Sequence, residues 1–323
     1  MTKNMKPEVT IVIPNFNGAG LLPLNLPFVI AAADEYQSGT KVIVVDDGST
    51  DESLIVLREH FPQIQVVAHP RNLGFSAAVL TGIKAANTEL IFLLNSDVQP
   101  ELDCLKPLTV YFQELETFAV SPLIRDENGK VNRHSWNRRI FRRGSLKPVD
   151  WDLEQAVEAS KKGWLPTLYA SGGSVMLRRS MFLTLKGFNP LFKPFYSEDY
   201  DLGICAWRRG WRSYFEPNTS VVHQRTGSSI KSNTKRAYVK RIRRRNKYLL
   251  EWIHLPAYLL WSQTVPLTLW QLLGELLILD KVNLSGFATA VCNIPAILKL
   301  RKELNQTQKL SIKEVLKIIN EHC

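Results

Sequence analysis

The sequence has few cysteines, and their spacing excludes a disulfide framework. Cys104, Cys205, Cys292 and Cys323 are scattered over 323 residues, and none of them belongs to a Cys-x-x-Cys motif. A disulfide-rich domain would be shorter and denser in cysteine, and a structural zinc site needs closely spaced ligands. We therefore expect reduced thiols and a fold that is held together by its hydrophobic core.

We expect no cleavable leader, and the sequence shows little internal repetition or low complexity. Its first residues include lysines but only a short apolar run before Pro14, which is typical of a first strand and not of a signal peptide. Hydrophobic residues make up 45% of the chain, enough for a sizeable core. Acidic residues are outnumbered by basic ones, 30 to 41, so the net charge is +11. This balance suits a partner that carries phosphate, or an anionic membrane.

Short apolar runs alternate with helical patterns in the first hundred residues. Strands are predicted at residues 9–13, 41–45, 65–68 and 90–94. Helices are predicted at residues 21–36, from about Ser49 or Thr50 (its expected N-cap) to His60, and at residues 76–86. Nearly continuous apolar strands that alternate with helices are typical of a parallel sheet covered on both faces. The predicted fold class is therefore α/β.

Polar clusters follow all four predicted strands. They read "PNFNG", "DDGSTD", "HPRNLGF" and "NSDVQP". In parallel sheets of this kind, ligands bind at the carboxyl ends of the strands. Any one cluster alone is explained as a turn, but four in register with strand ends predict a binding site along one edge of the sheet.

Asp97 follows the fourth predicted strand and is a candidate metal ligand. Hard divalent cations take oxygen ligands and can bridge a diphosphate, but one carboxylate is too few. His223, just past an apolar strand in "SVVHQRTGSS", is the candidate second ligand, because a neutral imidazole suits manganese. Taken alone, a histidine in this position is more often an ordinary one, and pairing with a strand-end aspartate strengthens the metal interpretation.

Carboxylates cluster at two further places. Asp46 and Asp47 follow the second strand, where a carboxylate can hold a ribose hydroxyl or a base N–H, or can simply cap a turn. "SEDYD" places Glu198, Asp199 and Asp201 within four positions. Repulsion between adjacent carboxylates raises one pKa, which suits a general base. A helix N-terminus also favours negative charge, so spacing alone does not decide.

The composition changes near residue 230, where we place a boundary between a catalytic domain, residues 1–230, and a helical C-terminal region, residues 231–323. "KRAYVKRIRRRNKYLLEWI" sets an apolar stripe among many basic residues, and residues 252–274 contain no Lys, Arg, Asp or Glu. This pattern predicts an interfacial helix on an anionic membrane. The alternatives are a membrane span, which two prolines and several polar residues weaken, and a basic helix packed on the catalytic domain.

Together, several segments resemble the inverting family-2 glycosyltransferases with the GT-A fold. They are "TIVIPNFNG", "VIVVDDGSTDES", "HPRNLGFSAAVLTGIKAANTELIFLLNSDVQP", "ASGGSVMLRRSMF" and "YSEDYDLGICAWRRGWRSYFEPNTSVVHQRTGSS". The match runs in order from about residue 8 to residue 230. The Asn-x-Asp form and the His-x-x-x-Gly-Ser ending resemble most the bacterial rhamnosyl-, galactofuranosyl- and related cell-surface polysaccharide transferases. The resemblance implies a Rossmann-like, mostly parallel sheet flanked by helices, with a basic and apolar helical tail.

The resemblance assigns roles at matching positions. The residues that it implies for the nucleotide-sugar donor are Pro14, Asn15, Asn17, Asp46, Asn72, Gly74 and Asn95. It implies that Asp97 and His223 hold a divalent cation, Mn or Mg, on the diphosphate. Asn95 stands where the family's Asp-x-Asp element has its first aspartate, which removes one negative charge from the site. It implies Asp199, beside Glu198, as the catalytic base, and Trp211 as part of the acceptor pocket.

The implied reaction is a direct displacement, in which Asp199 takes the proton of an acceptor hydroxyl and the metal stabilises the leaving diphosphate. The expected partners are a nucleotide-sugar donor, a glycan or lipid-linked acceptor and an anionic membrane surface, without nucleic acid. We expect a cytoplasmic enzyme, peripheral on the inner face of the cell membrane.

Two other functions compete with this interpretation. A nucleotidyltransferase usually has a glycine-rich, basic phosphate loop after the first strand, and "PNFNGAG" has no Lys or Arg. A nucleic-acid-binding protein is suggested by the net charge and by "RIRRRNKY". The basic stretch adjoins an apolar tail, however, which favours lipid.

Overall fold

The computed structural model describes residues 6–224 and 235–321. Within these residues, the strands of the main sheet are β1 (Val9–Asn15), β2 (Lys41–Asp46), β3 (Gln65–Ala68), β4 (Leu90–Leu94), β5 (Val98–Pro100), β6 (Thr117–Asp126), β9 (Leu165–Pro166), β10 (Ser174–Arg178) and β11 (Arg212–His223). Their order is β3-β2-β1-β4-β10-β6-β11-β5, and β9 pairs with β11. The first four strands are mutually parallel, while β10 is antiparallel to both of its neighbours. A separate antiparallel hairpin consists of β7 (Arg139–Arg142) and β8 (Ser145–Pro148).

Helices cover both faces of the main sheet. They are α1 (Leu22–Tyr36), α2 (Ser53–His60), α3 (Phe75–Ala85), α4 (Leu105–Val110), α5 (Leu153–Ser160), α6 (Arg179–Thr184) and α7 (Glu198–Arg208). Successive strand residues point to opposite faces. Ile11 and Ile13 of β1 therefore join a core with α1 and α4, while Val12 joins a second core with Val79 and Ile83 of α3. The α/β prediction is confirmed.

The predicted bounds of the first four strands, α1 and α3 agree with the structure to within two residues. Beyond residue 100 the strands are less regular. Residues 212–223 form the single strand β11, whose pairing with β6 is irregular between Glu216 and Ser220. The basic segment "WNRRIFRRGS" contains β7 and the turn into β8.

The C-terminal region is helical, and each helix named next except α9 contributes side chains to a core shared with α7. The helices are α8 (Arg236–His254), α9 (Val265–Leu277), α10 (Lys281–Val291), α11 (Ile294–Thr307) and α12 (Ile312–Glu321). The apolar stripe of α8, including Leu249 and Ile253, is buried in a core shared with Ile204 and Trp207 of α7. This stripe therefore contacts protein, as in the packed alternative, and not a membrane. The boundary predicted at residue 230 and the Gly-Ser end of the "HQRTGSS" motif lie outside the described residues.

Between α8 and α9, a short helix (Ala257–Leu259) and one π-helical turn (Leu260–Thr264) begin a largely uncovered apolar segment. We call its exposed side chains the apolar ridge: Trp261, Leu269, Trp270, Leu273, Leu276, Leu277, Ile278 and Leu279. Those on α9 recur at helical spacing and share one face. In the described part of the chain, no helix combines the length and the apolar character that crossing a bilayer requires. The cysteines described, at 104, 205 and 292, are free, as expected.

Candidate functional site

The ends of β1 and β2 are tied together by side chains that were predicted to meet the nucleotide. The Nδ2 amide of Asn15 donates to Asp46 Oδ1 at 3.0 Å, and Ser49 Oγ donates to the same oxygen at 2.5 Å. The Ser49 N–H donates to the other Asp46 oxygen at 3.0 Å. Asp46 is fully buried, so it holds the turn through these hydrogen bonds from the interior of the protein. Ser49 was expected to cap α2, but Glu52 is the residue that precedes that helix.

Asn17 completes this turn from the β1 side. Its N–H donates to Ser49 Oγ at 2.9 Å, and its Oδ1 accepts from the Thr50 N–H at 2.8 Å. Asn17 has a positive φ of 53°, which asparagine tolerates better than most residues. Pro14 lies within β1, paired with Val45. The structure therefore brings together Pro14, Asn15, Asn17 and Asp46 at one end of the sheet, as predicted from their positions after β1 and β2.

Asp47 organises the neighbouring loop, a role that the sequence left open. One carboxylate oxygen accepts from the Leu73 N–H at 2.9 Å and lies 2.7 Å from His69 Nδ1; the other accepts from the Gly74 N–H at 2.8 Å. Gly74 has a φ of 92°, which a residue with a side chain adopts only with strain. Asn72, in the same loop, is exposed. The hydrogen bonds of Asp47 therefore hold Asn72 and Gly74 beside the turn that follows β2.

Strand register brings the two predicted metal ligands together. β5 runs antiparallel to β11 with Val98 opposite His223, and Asp97 directly precedes Val98. His223 Nε2 lies 3.1 Å from Asp97 Oδ2. The Asp97 carbonyl also accepts from the Gln224 N–H at 3.0 Å. Two residues 126 positions apart in the sequence thus form one side-chain pair at the carboxyl end of β4.

The residues at this point fit a divalent cation. Oδ1 of Asp97 and Oδ1 of Asn95 are both buried, and neither has a hydrogen-bond partner among the described residues. A buried acceptor that lacks a partner costs free energy, which a bound cation would recover. A carboxylate, an amide oxygen and an imidazole together suit Mn, and the two oxygens also suit Mg. Asn95 keeps an oxygen available although it lacks the charge of an aspartate.

Gly172 and Gly173 connect this end of the sheet to the acidic turn of α7. The Asn95 N–H donates to the Gly173 carbonyl at 2.9 Å, and a Cβ at Gly173 would lie 3.0 Å from Asn95 Nδ2. The Gly172 N–H donates to Asp199 Oδ2 at 3.3 Å. The sequence marked "ASGGSV" as part of a motif but did not assign it this bridging role.

Glu198 and Asp199 form the first turn of α7, in an environment that disfavours charge. Asp199 is half-buried, and its Oδ1 accepts from the Tyr200 N–H at 2.8 Å. Burial raises the pKa of Asp199. Burial, and then the charge of Asp199, raise the pKa of Glu198 to about 8. Within the part of the chain that the structure describes, Glu198 Oε2 has no hydrogen-bond partner. Near neutral pH the pair therefore keeps a proton, and one member is poised to accept another from a substrate.

Asp201, the third carboxylate of "SEDYD", belongs to a buried contact with the C-terminal region. Its Oδ1 lies 2.8 Å from His254 Nε2, and the ligand atoms of Asp201, Cys205 and His254 lie within 4.8 Å of one another. Such a triad can hold a metal, but the Arg208 guanidinium lies 3.5 Å from His254 Nδ1 and would repel a cation. Burial also raises the pKa of the Cys205 thiol well above its ordinary value. We therefore interpret the group as a hydrogen-bonded connection between α7 and α8.

α8 also holds the loop that leads into Asp199. Tyr196 and Ser197 both have positive φ values, 73° and 68°, and they directly precede Glu198. The fully buried Asn246 donates from Nδ2 to the carbonyls of Phe195 and Tyr196 at 3.0 and 2.7 Å. Two adjacent left-handed residues are costly unless their surroundings fix them. Asn246 is thus a positioning residue for the base.

Replacing Asn246 with Leu should leave both carbonyls without their donor and release this loop. We expect a loss of about 1–3 kcal/mol in the free energy of unfolding and a drop in kcat with donor binding retained. Denaturation and steady-state kinetics measure the two effects. Asn293→Leu is the control, because it removes an amide hydrogen bond within the C-terminal helices but far from the loop in sequence. Equal kcat values for the two variants would contradict the positioning role.

Trp211 follows the C-terminal end of α7, about 16 Å along the helix from the acidic turn. Its ring stacks on Phe118 with centroids 6.5 Å apart, and the Arg209 guanidinium lies 5.7 Å from it. Phe118 in turn lines a small cavity with Gly172 and Asp199. The role of Trp211 in the acceptor pocket therefore stays a prediction.

Comparison with known proteins identifies the family. The model of glycosyl transferase family 2 matches residues 10–185, and that of glycosyl transferase family group 2 matches residues 119–300. An N-acetylglucosaminyl-diphospho-decaprenol L-rhamnosyltransferase of Mycobacterium tuberculosis is 26% identical over 210 residues, which are 58% of this chain and 67% of that protein.

Solved structures share the fold at low identity. A mannosyltransferase from Pyrobaculum calidifontis, in complex with GDP-Man and Mn²⁺, has a TM-score of 0.54 and 18% identity, covering 99% of this chain and 83% of that one. GalNAc-T7 with UDP, GalNAc and Mn²⁺ has a TM-score of 0.59 and 17% identity, covering 79% and 49%. These similarities confirm the predicted GT-A fold. The family model covers more than half of the chain and supports glycosyl transfer over nucleotidyl transfer. The chain belongs to glycosyl transferase family 2 and is a glycosyltransferase.

Proposed function

We propose that this enzyme transfers a sugar, with inversion at the anomeric carbon, from a UDP- or dTDP-sugar to a hydroxyl of a lipid-linked glycan in the synthesis of a bacterial cell-surface polysaccharide. One observation carries the proposal. Gly172 and Gly173 join Asn95, next to the Asp97–His223 pair, to Asp199 through two hydrogen bonds. A cation site for a diphosphate and a carboxylate base therefore adjoin each other across one short loop.

The donor would lie along the carboxyl ends of β1, β2 and β4. Asn15, Asn17 and Asp46 form the turn next to the base and ribose, and Asn72 and Gly74 border it. Asp97, His223 and Asn95 would hold a divalent cation, which neutralises charge on the departing diphosphate when bound. Two solved relatives of the fold contain Mn²⁺ and a nucleotide or nucleotide sugar, which supports this placement.

Asp199 would act on the acceptor side. Its Oδ2 takes the proton from the attacking hydroxyl, while the hydrogen bond from the Gly172 N–H fixes the carboxylate. Glu198 keeps its proton near neutral pH, because its pKa is raised to about 8, so the negative charge of the pair resides on Asp199. The hydroxyl oxygen attacks the anomeric carbon from the side opposite the diphosphate, which inverts that centre.

The apolar ridge supports a membrane-bound acceptor. Eight large apolar side chains would otherwise remain in water. Arg143 and Lys281 are exposed beside the ridge, since the Arg143–Gly144 turn touches Gln263 and Lys281 follows the apolar turn after α9. Glu275 and Asp280, the nearby acids, are paired with Arg244 and Lys240. This net positive rim suits the anionic inner face of the cell membrane, where we place the enzyme.

Asp97→Ala should abolish the metal-dependent part of donor binding, because it removes a carboxylate whose Oδ1 has no partner among residues 6–224 and 235–321. Thermal unfolding with UDP- and dTDP-sugars, with and without Mn²⁺, measures this. A donor at about a hundred times its Kd stabilises the native state by about 2.7 kcal/mol, which is several degrees for a domain of this size.

Asp103→Ala is the matched control, since Asp103 is an exposed aspartate six residues further along the chain. It should keep the full metal-dependent shift. An Asp97→Ala protein that shows the wild-type shift with the same donor would place the cation elsewhere.

A further inference from the structure

Two arginines and a histidine lie around the catalytic turn without an acidic partner of their own. They are His134, Arg139 of β7 and Arg243 of α8. Among the described residues, none of the three forms an ion pair with a carboxylate. None belongs to the strands that form the donor site. A bound anion from outside the described chain would neutralise this excess of positive charge.

Arg139 is fixed over two stacked aromatic rings next to Asp199. Tyr169 and Tyr200 stack with centroids 4.6 Å apart, and the guanidinium lies 5.9 and 5.4 Å from them. Its Nη2 donates to the Tyr169 hydroxyl at 3.3 Å, and its Nη1 to the Arg138 carbonyl. Arg139 is only half-buried. The guanidinium is therefore oriented in advance and still reaches solvent, as an anion-binding arginine requires.

Arg243 lies on the other side of the turn. Its guanidinium is 4.5 Å from the centre of the Tyr196 ring, three residues before Asp199, and the side chain is exposed. Asn246, one helical turn along α8, anchors the same loop. The position of Arg243 relative to the catalytic turn is thus set by the contact that positions Asp199.

His134 completes the group. Partial removal from water lowers the pKa of its imidazole, the charges of Arg139 and Arg243 lower it further, and the charge of Asp199 raises it. Arg139, Arg243 and Asp199 therefore all lie close enough to His134 to act on it. With its lowered pKa, the imidazole is uncharged near neutral pH and can contribute a hydrogen bond beside the two arginines.

The β7–β8 hairpin connects this cation cluster to the apolar ridge. β7 has four residues, Arg139–Arg142, and therefore spans about 13 Å. Beyond it, Gly144 packs so closely on the π-helical turn that an added Cβ would lie 2.6 Å from the Gln263 carbonyl oxygen. Trp261 belongs to that same turn. From the apolar ridge towards the base, the order of groups is apolar side chains, then the two arginines, then Asp199.

We propose that His134, Arg139 and Arg243 bind a phosphate or diphosphate that links the lipid of the acceptor to its sugar. The order of ridge, cations and base matches the order of lipid, phosphate and sugar hydroxyl in such a molecule. The inference rests on the proposed function and specifies its acceptor as a polyprenyl (di)phosphate-linked sugar. Phosphate binding by the two arginines raises affinity for this acceptor and aligns its hydroxyl with Asp199.

Binding of farnesyl diphosphate, compared with farnesol, tests the proposal. Titrations are made with saturating UDP and Mn²⁺, so that the donor site is already filled. The wild-type enzyme should bind the diphosphate at least tenfold more tightly than the alcohol. Arg139→Gln and Arg243→Gln should each lose about tenfold or more, because each removes a charge-assisted contact. Arg142→Gln, an exposed arginine on the same strand, should bind normally.

Two further measurements separate the possible outcomes. Arg139→Lys keeps the positive charge but lacks the planar guanidinium with its paired donors. It should recover part of the affinity for farnesyl diphosphate, which would exclude simple misfolding of the glutamine variant. Binding to phosphatidylglycerol vesicles should be unchanged in Arg139→Gln and Arg243→Gln.

The proposal is overturned if the wild-type enzyme binds farnesyl diphosphate and farnesol equally. It is also overturned if a variant that combines Arg139→Gln and Arg243→Gln binds the diphosphate as tightly as the wild type. Displacement of the diphosphate by UDP, or a parallel loss of vesicle binding, would also overturn it. If only the acceptor inference fails, the wild-type enzyme and these variants still show the donor-induced thermal shift. If the wild-type enzyme shows no such shift, the proposed function itself is refuted.

Discussion

Asp199→Asn is expected to lower turnover by about 10²–10⁴-fold, the range that a positioned general base contributes. The asparagine has nearly the same shape and can keep a hydrogen bond from the Gly172 N–H, which now reaches Asp199 Oδ2 at 3.3 Å. It cannot accept the proton of the attacking hydroxyl. Sugar transfer at saturating donor and acceptor measures the loss, while the donor-induced thermal shift should be unchanged.

Glu198→Gln is the matched control, because it removes the neighbouring carboxyl group but leaves Asp199 in place. We expect a far smaller loss of turnover from this change. The charge of Asp199 contributes to the raised pKa of Glu198, so the two groups disfavour each other's ionisation. Without Glu198 this repulsion is absent. A near-normal rate for Asp199→Asn, or an equal loss for both variants, would remove Asp199 from its role as base.

The pH profile gives an independent test of the same assignment. Burial raises the pKa of Asp199, and the base must be ionised to work. Activity should therefore fall as the pH decreases through that raised pKa, at a higher pH than for an ordinary aspartate. In Glu198→Gln this acid limb should stay in place, because burial, and not the charge of a protonated Glu198, raises the pKa of Asp199. The measurement is kcat against pH for both proteins, and a limb that moves to lower pH in Glu198→Gln would show that Glu198 is charged when Asp199 ionises.

Sequence patterns predicted the parallel half of the sheet because the signals there are local. Each strand from β1 to β4 is an apolar run bounded by turn residues, and each helix between them has its own periodicity. The carboxyl ends of such strands meet at one edge of the sheet whatever the details of packing. Asp46, Asp97 and Asn15 could therefore be assigned to one site without any knowledge of distances.

The remaining parts of the site depend on contacts between distant segments. Ser49 has the sequence position of a helix cap, yet its hydroxyl binds Asp46 and the Asn17 N–H instead. The β7 hairpin was not predicted, since its arginines hide the strand pattern. Asn246 lies 47 positions after Asp199 in a segment that reads only as a basic helix. Nothing local in the sequence shows that its amide holds the Tyr196 carbonyl.

The basic helix α8 shows the limit of amphipathic patterns. The sequence correctly predicts one apolar stripe, but the stripe alone does not show whether protein or membrane covers it. Leu249 and Ile253 are buried against α7, and the exposed apolar surface belongs to the next segment. Removing everything after residue 230 would therefore expose the core of the catalytic helix, so point substitutions on the ridge are the appropriate test of membrane attachment.

Substituting Trp261, Trp270 and Leu277 together with serine should release the enzyme from anionic vesicles. The first two side chains are each 74% exposed and the third is 76% exposed, so the changes remove little packing within the protein. Burial of a large apolar side chain is worth about 2 kcal/mol. Even at half that value for an interfacial position, three substitutions cost about 3 kcal/mol, or a hundredfold or more in the partition constant. Sedimentation with phosphatidylglycerol vesicles measures the loss.

Leu115→Ser is the matched control, since Leu115 is 77% exposed but lies before β6, outside the ridge. It should sediment with vesicles as the wild type does. If the ridge inserts while Arg143 and Lys281 only attract the surface, added salt should weaken wild-type binding without eliminating it, because apolar burial is not screened. Full release of the wild type by salt alone would mean that charge, and not the ridge, holds the enzyme. An unchanged vesicle fraction for the triple variant would remove the ridge from membrane binding, and the lipid of the acceptor would then have to reach Asp199 from solution.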